Sequence, residues 1–370
     1  MPQERSVTRR RMLTVAMASA AGAFAGTMVQ SSKQGAALLA STVAAGPRIQ
    51  GPFLILSTPF TASGAVDFDA LAREAQYVDW CGCPGMIWPQ SSDSIDLLTA
   101  DEKLQGMEVL AQTARQLRTT ALCLGVQGKD TDEMLVYAKH AEKLAPAAII
   151  SRPPDAGKTE DDLRQYWRAL ASVTKRPVIL QTTGGAAYKG PVPSVPLLIE
   201  LAEEFSQFGY VKEEAGPVIP RIRALLAARP PIRRVFGARG GYGWLYELRL
   251  GVEGLITERA IYADVLTHIW QLHRNRCDPA ALRDAYSKFL LMLNLNTTHP
   301  GSDLRGIQLY LWKKQGVFQT MVSRQYGPNG TVPSSPIFSD LKFTEEETAE
   351  IEFRFDALKP YRKPGAPSFH

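Results

Sequence analysis

The stretch "FGYVKEEAG", Phe208 to Gly216, sets one lysine at the tail of a short apolar run and directly before two glutamates. It is one of eight such runs. The others are "PFLILST" (52–58), "GMIWP" (85–89), "TALCLGV" (120–126), "AAIIS" (147–151), "PVILQ" (177–181), "RRVFG" (233–237) and "GLIT" (254–257), with "YVK" (210–212) sixth in order. Each is short, continuous and rich in β-formers, the pattern of strands buried on both faces. Between them lie amphipathic segments with helix-start chemistry: Thr99-Ala-Asp-Glu102 and Thr131-Asp-Glu133 place hydroxyl and carboxylate acceptors where a first turn has unpaired N–H groups. Helical spacing also marks Asp161 to Val173, Ser194 to Phe205 and Val218 to Ala228.

Eight strand–helix units in series predict an α/β fold, a (β/α)8 TIM barrel, with a doubly wound open sheet as the alternative. Beyond Thr257 only helical patterns are read: Ile261 to His273, Pro279 to Asn296, Arg305 to Gly316 and Thr344 to Leu358. They predict an eighth barrel helix and a C-terminal helical extension, while "YGPNGTVPSSP" reads as a loop. The expected boundaries are residues 1–46 for an export signal and linker, 47–275 for the barrel and 276–370 for a helical module and tail.

The 370 residues are 45% hydrophobic and 21% charged, enough for one large core. The formal net charge of +5 is mild and part of it lies in the first 33 residues, so no nucleic-acid partner is expected. "TRRRML", Thr8 to Leu13, followed by a small-residue apolar stretch, is similar to a twin-arginine export signal. Ala23-Phe24-Ala25 or Val43-Ala44-Ala45 would be its cleavage site. The stretch is too short for an ordinary membrane span. The expectation is a periplasmic or exported protein with no span after cleavage; an uncleaved anchor is the alternative. Cys81, Cys83, Cys123 and Cys277 have neither disulfide-framework nor zinc-site spacing, so they read as small buried residues beside a strand and no metal is expected.

In a barrel, residues at the C-terminal strand ends face the active-site mouth. Lys212 ends the sixth run, where its ammonium loses water and the neutral amine is favoured, and a neutral amine attacks a carbonyl to form an imine. The order of motifs resembles the dihydrodipicolinate synthase / N-acetylneuraminate lyase family of class I aldolases and dehydratases. "STPFTASGAVDFDALAREAQYV" (57–78) resembles the opening strand, turn and helix; "GMIWPQSSDSIDLLTADEK" lies where the family carries its Gly-Thr-Thr-Gly-Glu loop. "AKHAEKLAPAAIISRPP" resembles its third helix and fourth strand, "YVKEEAG" its Schiff-base lysine segment, and "TEEETAEIE" its last helix. The resemblance spans roughly Gly51 to Leu358.

The resemblance implies Lys212 as the imine-forming residue and Ser91 with Ser92 as holders of a 2-oxo acid carboxylate; plain turn chemistry is the alternative for the serines. Ile256 is included with the substrate-contacting residues, and Arg152 would grip an acid group or pair with a neighbouring carboxylate. Departures from the family stand beside these matches. Gln181 occupies the place of a proton-shuttling tyrosine and cannot titrate. Asp155 and Ala156 stand where a second tyrosine is usual, and Ala186 falls nearest the synthase's carboxylate-binding arginine. Tyr188, on a lengthened loop, is the candidate replacement relay; Asp93 and Asp155 are further candidates, with a solvated loop position as the plainer reading of all three. Glu213 reads as structural. In "FGARGGYGW" (236–244) the glycines are expected to leave room for ligand.

The expected function is a Schiff-base lyase acting on a 2-oxo acid such as pyruvate or a keto-deoxy sugar acid, without a cofactor, in a homotetramer or homodimer. The alternatives are a 2-oxo acid binding or sensor protein on the same barrel, and 4-hydroxy-tetrahydrodipicolinate synthase itself.

Overall fold

A computed structural model describes residues 49–91, 93–184, 188–276, 278–295, 304–365 and 367–369. The export-signal expectation therefore lies outside the described residues, as do Ser92, Ala186 and Cys277. Eight parallel strands close into a barrel in chain order: β1 (Gly51–Ile55), β2 (Gly85–Trp88), β3 (Ala121–Gly125), β4 (Ala148–Ser151), β5 (Val178–Gln181), β6 (Tyr210–Lys212), β7 (Arg234–Gly237) and β8 (Gly254–Thr257). β8 returns to β1 in the register Gly51↔Gly254 to Leu54↔Thr257. The open-sheet alternative is excluded by this closure.

Alternation along each strand divides the apolar side chains between two cores. Phe53, Ile55, Ile87, Cys123, Ile150, Ile179, Phe236 and Ile256 fill the inside of the barrel, with the Phe53 and Phe236 rings edge-on at 5.8 Å. Leu54, Met86, Trp88, Leu124, Ile149 and Val211 face the helices. Being buried on both faces, these strands read as unbroken apolar runs rather than as alternating ones.

The surrounding helices are α1 (Phe68–Trp80), α2 (Ala100–Ala114), α3 (Thr131–Leu144), α4 (Glu160–Val173), α5 (Val195–Glu204), α6 (Val218–Ala227), α7 (Trp244–Leu250) and α8 (Ala263–Arg274). Thr99 opens α2 with a capping box: its side chain accepts from the Glu102 N–H, and the Glu102 carboxylate accepts from the Thr99 N–H. α3 begins differently from its sequence expectation. Asp130, not Thr131, is the residue whose side chain caps it, accepting from the Glu133 N–H. The three cysteines within the described residues, Cys81, Cys83 and Cys123, are buried.

After α8 come α9 (Pro279–Leu293), α10 (Leu304–Lys314) and α11 (Glu345–Asp356), but not helices alone. β9 (Val322–Gln325) and β10 (Ile337–Asp340) form an antiparallel pair, and the predicted loop lies between them. These strands are four residues long and β10 is largely exposed, so they carry no continuous apolar signature. One hydrophobic cluster runs from the outer face of the barrel through Phe289, Leu311, Trp312, Val317, Ile351 and Phe355 of the C-terminal region. Trp312 meets the Tyr77 ring edge-on at 5.0 Å and donates from Nε1 to the Ser57 hydroxyl at 3.2 Å. Arg324 of β9 reaches back to α2, giving both Glu102 carboxylate oxygens a guanidinium hydrogen bond (2.8 and 2.6 Å) while lying over the Phe60 ring. Among the described residues no helix is long and apolar enough to cross a membrane.

Candidate active site

Register places the central pair. Lys212 stands opposite Gln181 on β5 and Phe236 on β7, and Phe236 belongs to the barrel's interior, so all three side chains share the inward face. Lys212 is 3% exposed. Its Nζ lies 3.4 Å from the Gln181 Oε1 and 3.7 Å from a carboxylate oxygen of Glu214. The Gln181 amide nitrogen donates to the other Glu214 oxygen and to the Thr183 carbonyl, both at 2.7 Å. Lysine, amide and carboxylate thus form a closed triangle at the end of β5 and β6. Burial pushes the Glu214 carboxyl above the ordinary carboxylate range, with nearby Glu258 adding to the rise and Lys212 opposing it.

The neighbouring Glu213 is fully buried and does something else. It accepts from the Thr182 hydroxyl (2.8 Å), the Ala215 N–H (2.8 Å) and the Arg221 guanidinium (3.1 Å), which fixes the backbone just after the lysine. The two consecutive glutamates therefore face opposite environments, one bound into the protein and one at the amine.

On the adjoining side of the mouth, the buried Arg152 donates to the Ser91 hydroxyl (3.1 Å), the Gly184 carbonyl (3.2 Å), Asp96 (3.0 Å) and Asp155 (3.1 Å). Of the two sequence readings for Arg152, the carboxylate pairing is the one these contacts describe. Arg152, Asp96 and Asp155 line a cavity of about 690 Å³ that also takes in Lys103, Lys129 and Tyr188. Lys212 does not line it, so this space is not the lysine's own pocket. Tyr188, the expected relay for the lysine, lines this cavity. Its hydroxyl donates to the Pro191 carbonyl at 2.9 Å within its own loop, and burial helped by Asp155 pushes it up to about 12. Ile256 is wholly buried in the barrel interior beside Phe53.

The plain reading of Asp93 as a solvated loop residue also fails. Its side chain is 4% exposed and accepts from the Thr58 N–H (2.9 Å) and the Thr58 hydroxyl, while Arg305 of α10 stands 3.9 Å away. Asp155, half exposed, is held by Arg152. The glycine-rich loop after β7 does not leave the expected room. A Cβ on Gly237 would lie 2.0 Å from a Glu247 oxygen, and one on Gly240 (φ 67°) would lie 2.9 Å from Arg259. The space is already taken by those two side chains. Arg259, Glu247 and Arg305 escaped the sequence reading; "ITERA" after β8 held a usable signal, because it puts charge at a strand end.

The sequence model of the dihydrodipicolinate synthetase family matches residues 48–257, more than half of the chain. The chain belongs to that family. A 4-hydroxy-tetrahydrodipicolinate synthase of Chlorobium phaeobacteroides (strain BS1) is 25% identical over 256 residues, covering 68% of this chain and 84% of that one. Among solved structures, a dihydrodipicolinate synthase from Rhodopseudomonas palustris superposes with a TM-score of 0.70 at 18% identity, over 84% of this chain and 98% of that one. An N-acetylneuraminate lyase from Fusobacterium nucleatum gives 0.67 at 18% identity, over 85% and 99%. At these identities the structural likeness speaks for the barrel and its helical extension alone.

Proposed function

We propose that this family member is a Schiff-base lyase that condenses Lys212 with the keto group of a 2-oxo acid. The protonated imine then serves as an electron sink for breaking or making an adjacent carbon–carbon bond, or for losing a hydroxyl. The observation that carries the reading is the placement of Lys212: a buried amine on the inward face at the C-terminal end of a barrel strand, the end at which barrel enzymes do their chemistry. The names of the relatives, synthases and a lyase, support the same class of reaction. Ser91, with Ser92, would hold the substrate carboxylate, and Arg152 would act by orienting the Ser91 hydroxyl. The substrate class is pyruvate or a keto-deoxy sugar acid. Export by the twin-arginine-like segment and assembly into a homotetramer or homodimer complete the proposal.

A binding or sensor role is the second reading, favoured by the non-titrating amide of Gln181 beside the lysine. Synthesis of 4-hydroxy-tetrahydrodipicolinate is not favoured over the broader lyase reading.

Incubation with pyruvate and borohydride should add one reduced adduct, located at Lys212 by peptide mass mapping and absent from K212A. An unmodified Lys212 across a panel of 2-oxo acids would overturn the enzyme reading. Trapping without retro-aldol or dehydratase turnover would favour the sensor.

A further inference from the structure

We infer that Glu214 is the proton relay of this site, acting on the Lys212 amine and oriented by Gln181. The inference rests on the imine reading above and supplies what that reading lacks, a titratable group in reach of the reacting nitrogen. Three observations carry it. The Glu214 carboxylate lies 3.7 Å from Nζ, an ion-pair distance that a small side-chain movement closes to proton-transfer range. Its second oxygen is fixed by the Gln181 amide at 2.7 Å, and that amide is in turn anchored on the Thr183 carbonyl. Of the titratable candidates in the sequence, Tyr188 is turned to Pro191, Asp93 is held by Thr58 and Asp155 by Arg152. An amide at 181 is therefore not an empty version of a relay: it is the clamp that aims a carboxylate supplied by the loop after β6.

The chemistry balances with this one group. Lys212 as an ammonium passes a proton to Glu214, and the freed amine attacks C2 of the oxo acid. The carbonyl oxygen receives that proton from Glu214, forming a carbinolamine whose nitrogen gives a second proton to the same carboxylate. Glu214 delivers it to the carbinolamine hydroxyl, which leaves as water while the C=N bond forms. Both protons lost by nitrogen end up in the departing water, and the carboxylate is regenerated. It can then remove a C3 proton to give the enamine. A carboxylate that is partly desolvated is a better proton acceptor for an amine than one in water. The charged groups facing it are Lys212 at the end of β6, Glu258 after β8 and Glu213 beside it.

The test uses the full chain with pyruvate, following exchange of its methyl protons in D2O by NMR and borohydride-trapped adduct at Lys212 by mass spectrometry. E214Q keeps the shape and removes the base; exchange and trapping rates should fall by about 10²-fold or more at neutral pH. Alkaline pH should restore part of the trapping rate. E214A, whose folding is checked by thermal unfolding, should regain part of its exchange on addition of formate, which a structural loss would not. Wild-type rates in E214Q would overturn the relay while leaving the imine reading intact. So would loss in both variants that neither formate nor alkaline pH restores. Absence of any adduct in the unaltered chain, with pyruvate and across the panel of 2-oxo acids, would sink the imine reading, and the relay with it.

Discussion

Glu247 shows how a single side chain can make the fold sensitive to pH. It sits at the start of α7 with one carboxylate oxygen against Gly237 and, among the described residues, no hydrogen-bond partner for that oxygen. Burial pushes it up to about 7, with Arg239 opposing. A carboxyl raised in the folded state binds more protons there than in the unfolded chain between the ordinary carboxylate range and neutrality. Stability from this residue is therefore greatest below that window and falls as pH rises through it, by on the order of 3 kcal/mol in total. E247Q should flatten the melting temperature between pH 5 and pH 8, whereas the unaltered chain should lose stability over the same range; a parallel decline in both would assign the pH dependence elsewhere. Lys212 was legible in the sequence because it ends a short apolar run in a chain of eight. Glu247 was not, since its meaning depends on two glycines that bring the β7 loop against it. Asp93 shows the same failing from the other side: a polar loop residue looks solvated until Thr58 and Arg305 are seen to enclose it.

At the level of elements, the barrel strands were read almost residue for residue because burial on both faces leaves no polar interruption. Helix starts were equally legible where the cap and its return bond fall in one motif. Thr99→Ala should cost about 1 kcal/mol by removing the acceptor for the Glu102 N–H, while Thr131→Ala, just inside α3, should cost much less because Asp130 holds that cap. Chemical denaturation with unchanged slope would measure both. The β9–β10 pair has no counterpart in the sequence reading, which covers only the loop between the two strands. Its side chains alternate too briefly, and its stabilisation comes from contacts hundreds of positions away, which no local window contains.

Across the whole molecule, the C-terminal region is bound into the barrel rather than appended to it. Arg324 is the clearest tie: its guanidinium bonds Glu102, the Leu97 carbonyl and the Gly64 carbonyl, and lies 4.8 Å from the Phe60 ring centroid. Arg324→Ala leaves these acceptors and the partly buried Glu102 without their cation, and should destabilise the full chain by about 3 kcal/mol. A double-mutant cycle with E102Q should return a coupling well above that of an exposed pair. A cost below 1 kcal/mol would mean the hairpin frays freely from the barrel.

Arg305 carries the same dependence to the chemical end of the fold. Its guanidinium extends from α10 to the Thr58 carbonyl (3.3 Å) and toward Asp93, so the positive charge beside these two residues comes from a position far downstream of both. Trimming the polypeptide after its eighth β/α unit would leave a geometrically complete cylinder whose rim had lost the cation that faces Asp93.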